Sequence, residues 1–281
     1  MASKRARRWL SGGLLALLLV AGLVLGLAAW FTSEAVEDQL LVVTGPEPTL
    51  DPSAVGVEFE IIDVPGPLGN YPAWLVAAAP DEDSWAIHVH DRAHNREQAL
   101  PILSTFADHG LGVLATTYRN VAGAPPGDGG HYALGADEWQ DLEAAVLYAL
   151  DSGAEDVVLI GSGSGGGVVL SFLAESESAG WVAGIVLDAP YLDPGSMVDI
   201  RRREASVPGF LIGWGKAMAT FRFGIDWAEV DHLARAAEVE VPVLLFYGTA
   251  DQTVPAEHIA EFVGAVGGVR YVSFEGAAHL E

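Results

Sequence analysis

Cysteine is absent from the 281 residues, which excludes disulfide staples, a thiol nucleophile and thiolate metal sites. Positive charge is also scarce: 14 Lys and Arg face 38 Asp and Glu, a formal net charge of -24. A surface of that sign repels phosphate backbones, so nucleic acid is excluded as a partner class. Internal repeats, low-complexity tracts and long runs of like charge are missing too, so the acidity reads as a solvated surface, not an interaction tail. What is present is 51% hydrophobic, with 33 Gly and 15 Pro, the composition of a sheet-and-helix domain with many turns. The length leaves room for one α/β domain of about 230 residues and an N-terminal appendage.

Lys4, Arg5, Arg7 and Arg8 precede a stretch without charge from Trp9 to Ser33, rich in Leu, Val, Ala and Gly, with Trp9, Trp30 and Phe31 at its ends. That length spans a bilayer. A secretory signal has a shorter apolar region of roughly 7 to 15 residues, although Gly26 to Ala28 offers a small-residue cleavage site. Apolar character all round residues 10–29 argues against a surface helix, which needs a polar face. The expectation is residues 1–9 as a cytoplasmic basic N-terminus, 10–31 as a transmembrane helix and 32–54 as a linker. The positive-inside bias then carries the remainder to the extracytoplasmic side of the cell membrane as a single-pass protein. A short helix over 34–43 and a break at Gly45, Pro46, Pro48, Asp51 and Pro52 fit the linker.

From residue 55 to 281 the pattern reads as one domain. Val57 to Val64 and Tyr71 to Ala79 form an opening hairpin. Strands at Trp85 to His90, Gly112 to Tyr118, Asp156 to Gly161, Ala183 to Asp188, Val241 to Tyr247 and Arg270 to Phe274 then alternate with helices at about 95–109, 136–152, 165–177 and 255–266. The fold class is α/β: a mostly parallel sheet of about eight strands with helices on both faces, and an insert at about 191–239 forming a small helical cap. Functional loops belong at the carboxyl ends of the parallel strands.

The most informative segment follows the strand 156–160: Gly161, Ser162, Gly163, Ser164, Gly165, Gly166 and Gly167, then an apolar helix. A nucleophile elbow needs small residues there because the turn is strained and the helix packs tightly on the strand. The same letters fit a dinucleotide fingerprint, Gly161-x-Gly163-x-x-Gly166, with Asp188 about 20 residues on. Such fingerprints open their fold, whereas about four strands precede this one. Asp251 lies straight after a strand, where a carboxylate orients an imidazole, and His279 follows the last strand. Nucleophile, acid and histidine in that order suit serine chemistry, in which a hydroxyl needs a neighbouring base.

The stretch from about Trp85 to His279 resembles the α/β-hydrolase family, of the serine aminopeptidase or lysophospholipase-like kind. The matching segments are His90-Asp91, Thr117 to Asn120, the elbow, Leu187 to Pro190, Gly248 to Asp251 and Gly276 to His279. The resemblance implies Ser164 as nucleophile, His279 as general base, Asp251 as its partner, and backbone NH groups of Arg92 and Gly165 as an oxyanion hole. It implies no cofactor.

Three departures accompany it. Without gaps, the family's Gly-x-Ser-x-Gly-Gly puts Gly163 where the nucleophile belongs; a shift by one places Ser164 there. Asp91 stands where the family has glycine after histidine, expected to point away and pair with Arg92 or Arg96. The chain ends two residues after His279, ahead of the family's closing helix.

Other residues have plainer readings. His88 and His90 alternate on a strand without a third ligand at matching spacing, so no metal site is expected. His94, His109, His131, His232 and His258 read as surface or loop residues. Asp188 is an alternative acid that fits the order less well than Asp251. In the insert, Phe210, Trp214, Met218, Phe221, Phe223 and Trp227 read as packing. Arg201, Arg202 and Arg203 form a solvated face, or meet anionic lipid headgroups. The leading expectation is a membrane-anchored serine hydrolase acting on an ester or amide of a small or lipidic molecule. The alternatives are a catalytically inactive hydrolase-fold binding protein, with Gly163 at the nucleophile position, and an NAD-binding oxidoreductase.

Overall fold

A computed structural model describes residues 2–43 and 45–281, with side chains at all of these except 2–14, 16, 39 and 128. The basic cluster Lys4, Arg5, Arg7 and Arg8 lies outside the described side chains. The chain divides into two compact units, residues 1–39 with 198–225, and residues 40–197 with 226–281.

The larger unit is built on eight strands, as the alternation predicts: β1 (Glu60–Gly66), β2 (Gly69–Val76), β3 (Ser84–Val89), β4 (Gly112–Ala115), β5 (Asp156–Ser162), β6 (Val182–Asp188), β7 (Val243–Gly248) and β8 (Val269–Phe274). Their spatial order is β1-β2-β4-β3-β5-β6-β7-β8. The β1–β2 and β2–β4 pairs are antiparallel, and every later pair is parallel. The change of direction along the chain at β3 places β5 centrally, flanked by β3 and β6. Both faces of such a strand are covered, which accounts for its unbroken apolar run, Val157 to Ile160.

Four helices serve the sheet: α2 (Leu100–Asp108), α3 (Trp139–Asp151), α4 (Ser164–Glu175) and α7 (Ala256–Ala265). They match the expected helices with shifted ends. β4 stops at Ala115, earlier than its β-branched continuation suggests, because Thr117 turns its hydroxyl to the Pro72 carbonyl at 2.8 Å and Arg119 folds back onto α3. Local hydrogen bonds there replace the ladder.

The smaller unit holds α1 (Ala2–Val36) and α6 (Gly209–Phe223). The helix α5 (Pro194–Glu204) begins in one unit and ends in the other. The helix α1 continues past residue 31, where the expected span ends and the linker begins. Thr32 and Ser33 donate their hydroxyls to the carbonyls of Ala28 and Trp30 at 2.9 and 2.8 Å, no Gly or Pro intervenes, and the helix runs on into a π turn at Glu37–Leu41.

The buried polar groups of the larger unit set its sensitivity to mutation and pH. Asp141, with no exposed side chain, receives both arms of Arg119, Nε and Nη2, at 2.8 Å each, the Arg119 amide at 2.8 Å and the Tyr71 hydroxyl at 2.7 Å. Removing one partner of such a pair strands the other charge away from water. Asp141→Ala is expected to lower unfolding free energy by about 3–5 kcal/mol in urea titration; a loss below about 1 kcal/mol would contradict a structural role for the pair.

Burial lowers His88 to about 3, and His90 and His232 to about 4, so the fold holds them neutral. Unfolded histidines take up protons near pH 6.5, so these three make stability rise with pH between roughly 4 and 6.5. Glu138 acts oppositely. Burial pushes its carboxyl up from 4.5 to about 7, so the folded form keeps a proton the unfolded form has lost, and stability falls as pH rises through that window. Melting temperature should therefore climb from pH 4.5 to 6.5, and Glu138→Gln should steepen the climb. A shallower slope in that variant would refute the assignment.

Candidate active site

The ends of five strands, β3, β5, β6, β7 and β8, supply the chemistry. β5 leads into Gly163, whose φ of 54° and ψ of -119° form the sharp bend before α4. A side chain is strained in that conformation, which glycine adopts freely. Glycine is required beside the bend for another reason. A Cβ on Gly165 would stand 2.2 Å from the Val89 carbonyl oxygen, and one on Gly161 would stand 2.6 Å from the Gly166 Cα. The helix thus packs directly on strand backbone, the geometry an elbow needs.

The backbone turns at Gly163, the ungapped register, and Ser164 is the first residue of α4. Ser164 is completely buried. Its hydroxyl accepts the Arg92 amide at 2.8 Å. Ser162 faces His88, with Oγ and Nε2 3.3 Å apart. Neither serine has a hydrogen bond to His279 among the described residues.

Asp91 takes the space beside the bend. A Cβ on Gly163 would lie 2.4 Å from its Oδ2. Oδ2 accepts the Ser164 amide at 2.9 Å, and Oδ1 accepts the Ala93 amide at 2.8 Å. The Ser164 amide follows the apex residue, the position from which an oxyanion hole draws one donor. A carboxylate therefore already sits on it. Burial alone would raise the Asp91 carboxyl, but hydrogen bonds from His94 and the two amides outweigh it and hold the group well below the usual carboxylate range. The expected outward pairing with Arg92 or Arg96 is not what forms. Arg96 donates to the Pro72 carbonyl and lies over the Trp74 ring at 5.2 Å, while His94 stands beside Asp91, its Nδ1 3.6 Å from Oδ1. The Asp91 amide is also engaged, by the Gln98 side-chain oxygen at 2.7 Å. Of the expected oxyanion donors, Arg92 has its amide on Ser164, and Gly165 stands one residue inside the helix, past the amide that Asp91 holds.

The acid and the histidine do meet. Asp251, its side chain fully buried, is 2.7 Å from His279 Nδ1 through Oδ2. Its Oδ1 accepts the amides of Thr253 and Val254 at 2.6 and 3.0 Å. Burial would raise this carboxyl, but the His279 contact and the Val254 amide outweigh it and lower it. The two loops are stitched together: Ala250 donates to the Ala277 carbonyl at 2.9 Å, and Gly276 donates to the Thr249 hydroxyl at 2.9 Å. Gly248 permits this, since a Cβ there would meet the Ala277 oxygen at 2.4 Å. An ionised Asp251 keeps the proton on Nδ1, leaving Nε2 as an acceptor when the ring is neutral. Nε2 is buried and has no hydrogen-bond partner among the described residues.

Asp188 lies close enough to feel both groups. Burial raises its carboxyl, His279 opposes the rise and Asp251 adds to it. Its backbone oxygen accepts the Gly163 amide at 2.8 Å. That bond and Asp91 together occupy the amides of the glycine-rich turn that a pyrophosphate would use, which removes the footing of the dinucleotide reading. His90 is likewise engaged, Nδ1 against the Asp91 carbonyl at 2.8 Å and its ring stacked on Tyr118 at 4.7 Å. A groove of about 780 Å³ beside β1 and α3, lined by Asp63, Pro65, Trp139, Glu143 and Tyr148, includes none of these groups. Sequence reasoning missed the inward turn of Asp91. The signal for it was the pairing of two departures, a side chain gained at 91 and one lost at 163.

No protein-family model matches the sequence, and no curated protein does. Solved structures do match in shape. An esterase of Pyrococcus furiosus is 19% identical with a TM-score of 0.63, the alignment covering 86% of this chain and 90% of that one. A serine hydrolase without a lid from Xanthomonas campestris is 18% identical, TM-score 0.53, over 79% and 86%. A puromycin hydrolase is 23% identical, TM-score 0.60, over 83% of this chain and 37% of that one. The likeness lies in the fold: this chain has the α/β-hydrolase fold.

Proposed function

We propose that this chain is a membrane-anchored hydrolase-fold protein whose site binds a small or lipidic molecule without serine acyl transfer. The observation that carries this reading is the pairing at the bend: Gly163 offers no side chain, and Asp91 lies where the side chain would go and on the amide an oxyanion would need. An acyl-transfer intermediate would bring a second negative charge to a carboxylate-filled hole, the reverse of the stabilisation such holes provide. The Asp251–His279 pair is retained beside it. With Nδ1 held by Asp251, His279 has Nε2 left to meet a polar group of a ligand. Esterase and hydrolase neighbours support a small-molecule occupant.

Anchoring rests on α1. Its segment Leu17–Val36 is long and apolar enough to cross a membrane, and Leu17, Leu18, Leu19, Leu23, Val24 and Phe31 are all at least 58% exposed. Leucines so exposed around a helix suit lipid better than water. The basic residues before it support an extracytoplasmic domain. A second reading, serine hydrolysis by Ser164, is favoured by the intact Asp251–His279 contact. It requires the Ser164 hydroxyl to leave the Arg92 amide and turn to Nε2.

Fluorophosphonate labelling of the detergent-solubilised full chain separates the readings. The native protein should form no adduct. The paired variant Asp91→Gly/Gly163→Ser should gain one at residue 163, at least about 100-fold faster than Gly163→Ser with Asp91 retained. An adduct on the native chain that Ser164→Ala abolishes would establish the hydrolase reading instead.

A further inference from the structure

The helix α6 is apolar on the side it packs and on the side it shows. Ile212, Gly215 and Ala219 are buried. Gly215 allows the approach to α1: a Cβ there would stand 2.5 Å from the Thr32 Cβ and 2.2 Å from its Cγ2. Arg222 closes the contact. It lies over the Trp30 ring at 4.0 Å, donates to the Ser33 hydroxyl at 2.7 Å and pairs with Glu37 at 3.2 Å. The contacts thus fall at residues 30–37, the last part of the apolar segment of α1.

The opposite face carries Phe210, Trp214, Ala217 and Phe221, at helical spacings of four, three and four. All four are exposed, Phe221 at 86%, Phe210 at 59% and Trp214 at 51%. No charged residue interrupts the stripe. A helix apolar on both faces belongs in a core or in lipid, and an exposed aromatic stripe of this kind marks an interaction surface. Charge indicates what covers it. Between residues 198 and 225 stand Arg201, Arg202, Arg203, Lys216 and Arg222 against only Asp199 and Glu204, a formal +3 in a chain of -24. A second copy of so acidic a protein gains nothing from that sign, whereas an anionic lipid surface does.

We propose that α6 is a second membrane-contacting element: it lies at the bilayer surface beside the end of α1, with Phe210, Trp214, Ala217 and Phe221 in the acyl boundary and the exposed Arg203 of α5 toward anionic headgroups. Aromatic residues favour that depth, and Arg222, stacked on Trp30, suits the same level. This rests on the anchored reading of α1. It makes the membrane contact of this unit two-legged.

The absence of cysteine makes the test direct. Single cysteines replacing Phe210, Trp214, Ala217 or Phe221 are spin-labelled in full-length protein, in vesicles containing phosphatidylglycerol. Leu19→Cys serves as the reference for the span and Ile61→Cys as the reference for water. Power-saturation EPR then compares collision with oxygen and with a water-soluble nickel chelate. The proposal requires all four stripe positions to favour oxygen, as Leu19→Cys does, at a shallower depth, while Ile61→Cys favours nickel. Nickel-favoured stripe positions with an oxygen-favoured Leu19→Cys would overturn this inference and leave the anchor standing. Nickel-favoured Leu19→Cys would overturn the anchor and this inference with it. Low accessibility to both reagents with dipolar broadening would assign the stripe to a second copy and overturn the lipid contact. Ala217→Cys, a small exposed exchange, keeps the answer readable if an aromatic replacement unfolds the protein.

Discussion

The site depends on one hydrogen bond, from the Ser164 amide to the Asp91 carboxylate at 2.9 Å. It forms only because Gly163 is bare at the bend; any Cβ there would collide with the same oxygen. Conversely, a glycine at 91 would leave the Ser164 amide without this partner, to be met by water or ligand. The two residues belong together: one gives up a side chain and the other fills the space with charge. The rest of the turn is then tied down, with Gly163 donating to the Asp188 carbonyl and Tyr191 donating to the Gly163 carbonyl.

Electrostatics make this arrangement more than a plug. Asp91, Asp188 and Asp251 stand at the carboxyl ends of β3, β6 and β7, with His94 beside Asp91 and His279 beside Asp251. A ligand that brings a proton donor or a positive charge suits that field, and one that develops negative charge does not. The histidine remains poised by Asp251, so the site keeps its recognition geometry independently of the nucleophile. On the proposed reading, the fold has kept the machinery that orients a ligand and replaced the part that attacks it.

Much of this was legible in the residues. Alternation gave eight strands and the helices between them, and the positions of Asp251 and His279 after the last strands brought acid and base into contact as the resemblance implies. The bend could be located but not its apex, because Ser162-Gly163-Ser164 is symmetric in letters and only backbone torsions tell which residue turns. The inward carboxylate of Asp91 was illegible for a related reason: a loop aspartate has arginines nearby in sequence, and the amide it chose is 73 residues away. The linkage of the insert to the N-terminal helix was likewise hidden. Aromatics at helical spacing read as packing, and the small contact residues Thr32 and Gly215 carry no signal at a separation of more than 180 residues.

The same economy recurs in both units, where glycine admits a neighbour and a charged group exploits the closeness. Gly163 admits Asp91, and Gly215 admits Thr32 so that Arg222 can reach Trp30, Ser33 and Glu37. The claim on which the site rests is the ionised carboxylate on the Ser164 amide. A ¹³C NMR titration of the Asp91 carboxyl in the folded full chain tests it, with the Ser164 amide proton followed in parallel. The account requires Asp91 to stay ionised well below the usual carboxylate range, and the Ser164 amide to shift only when that group finally protonates. Titration of Asp91 at an ordinary carboxylate pH, with a Ser164 amide indifferent to it, would contradict the account.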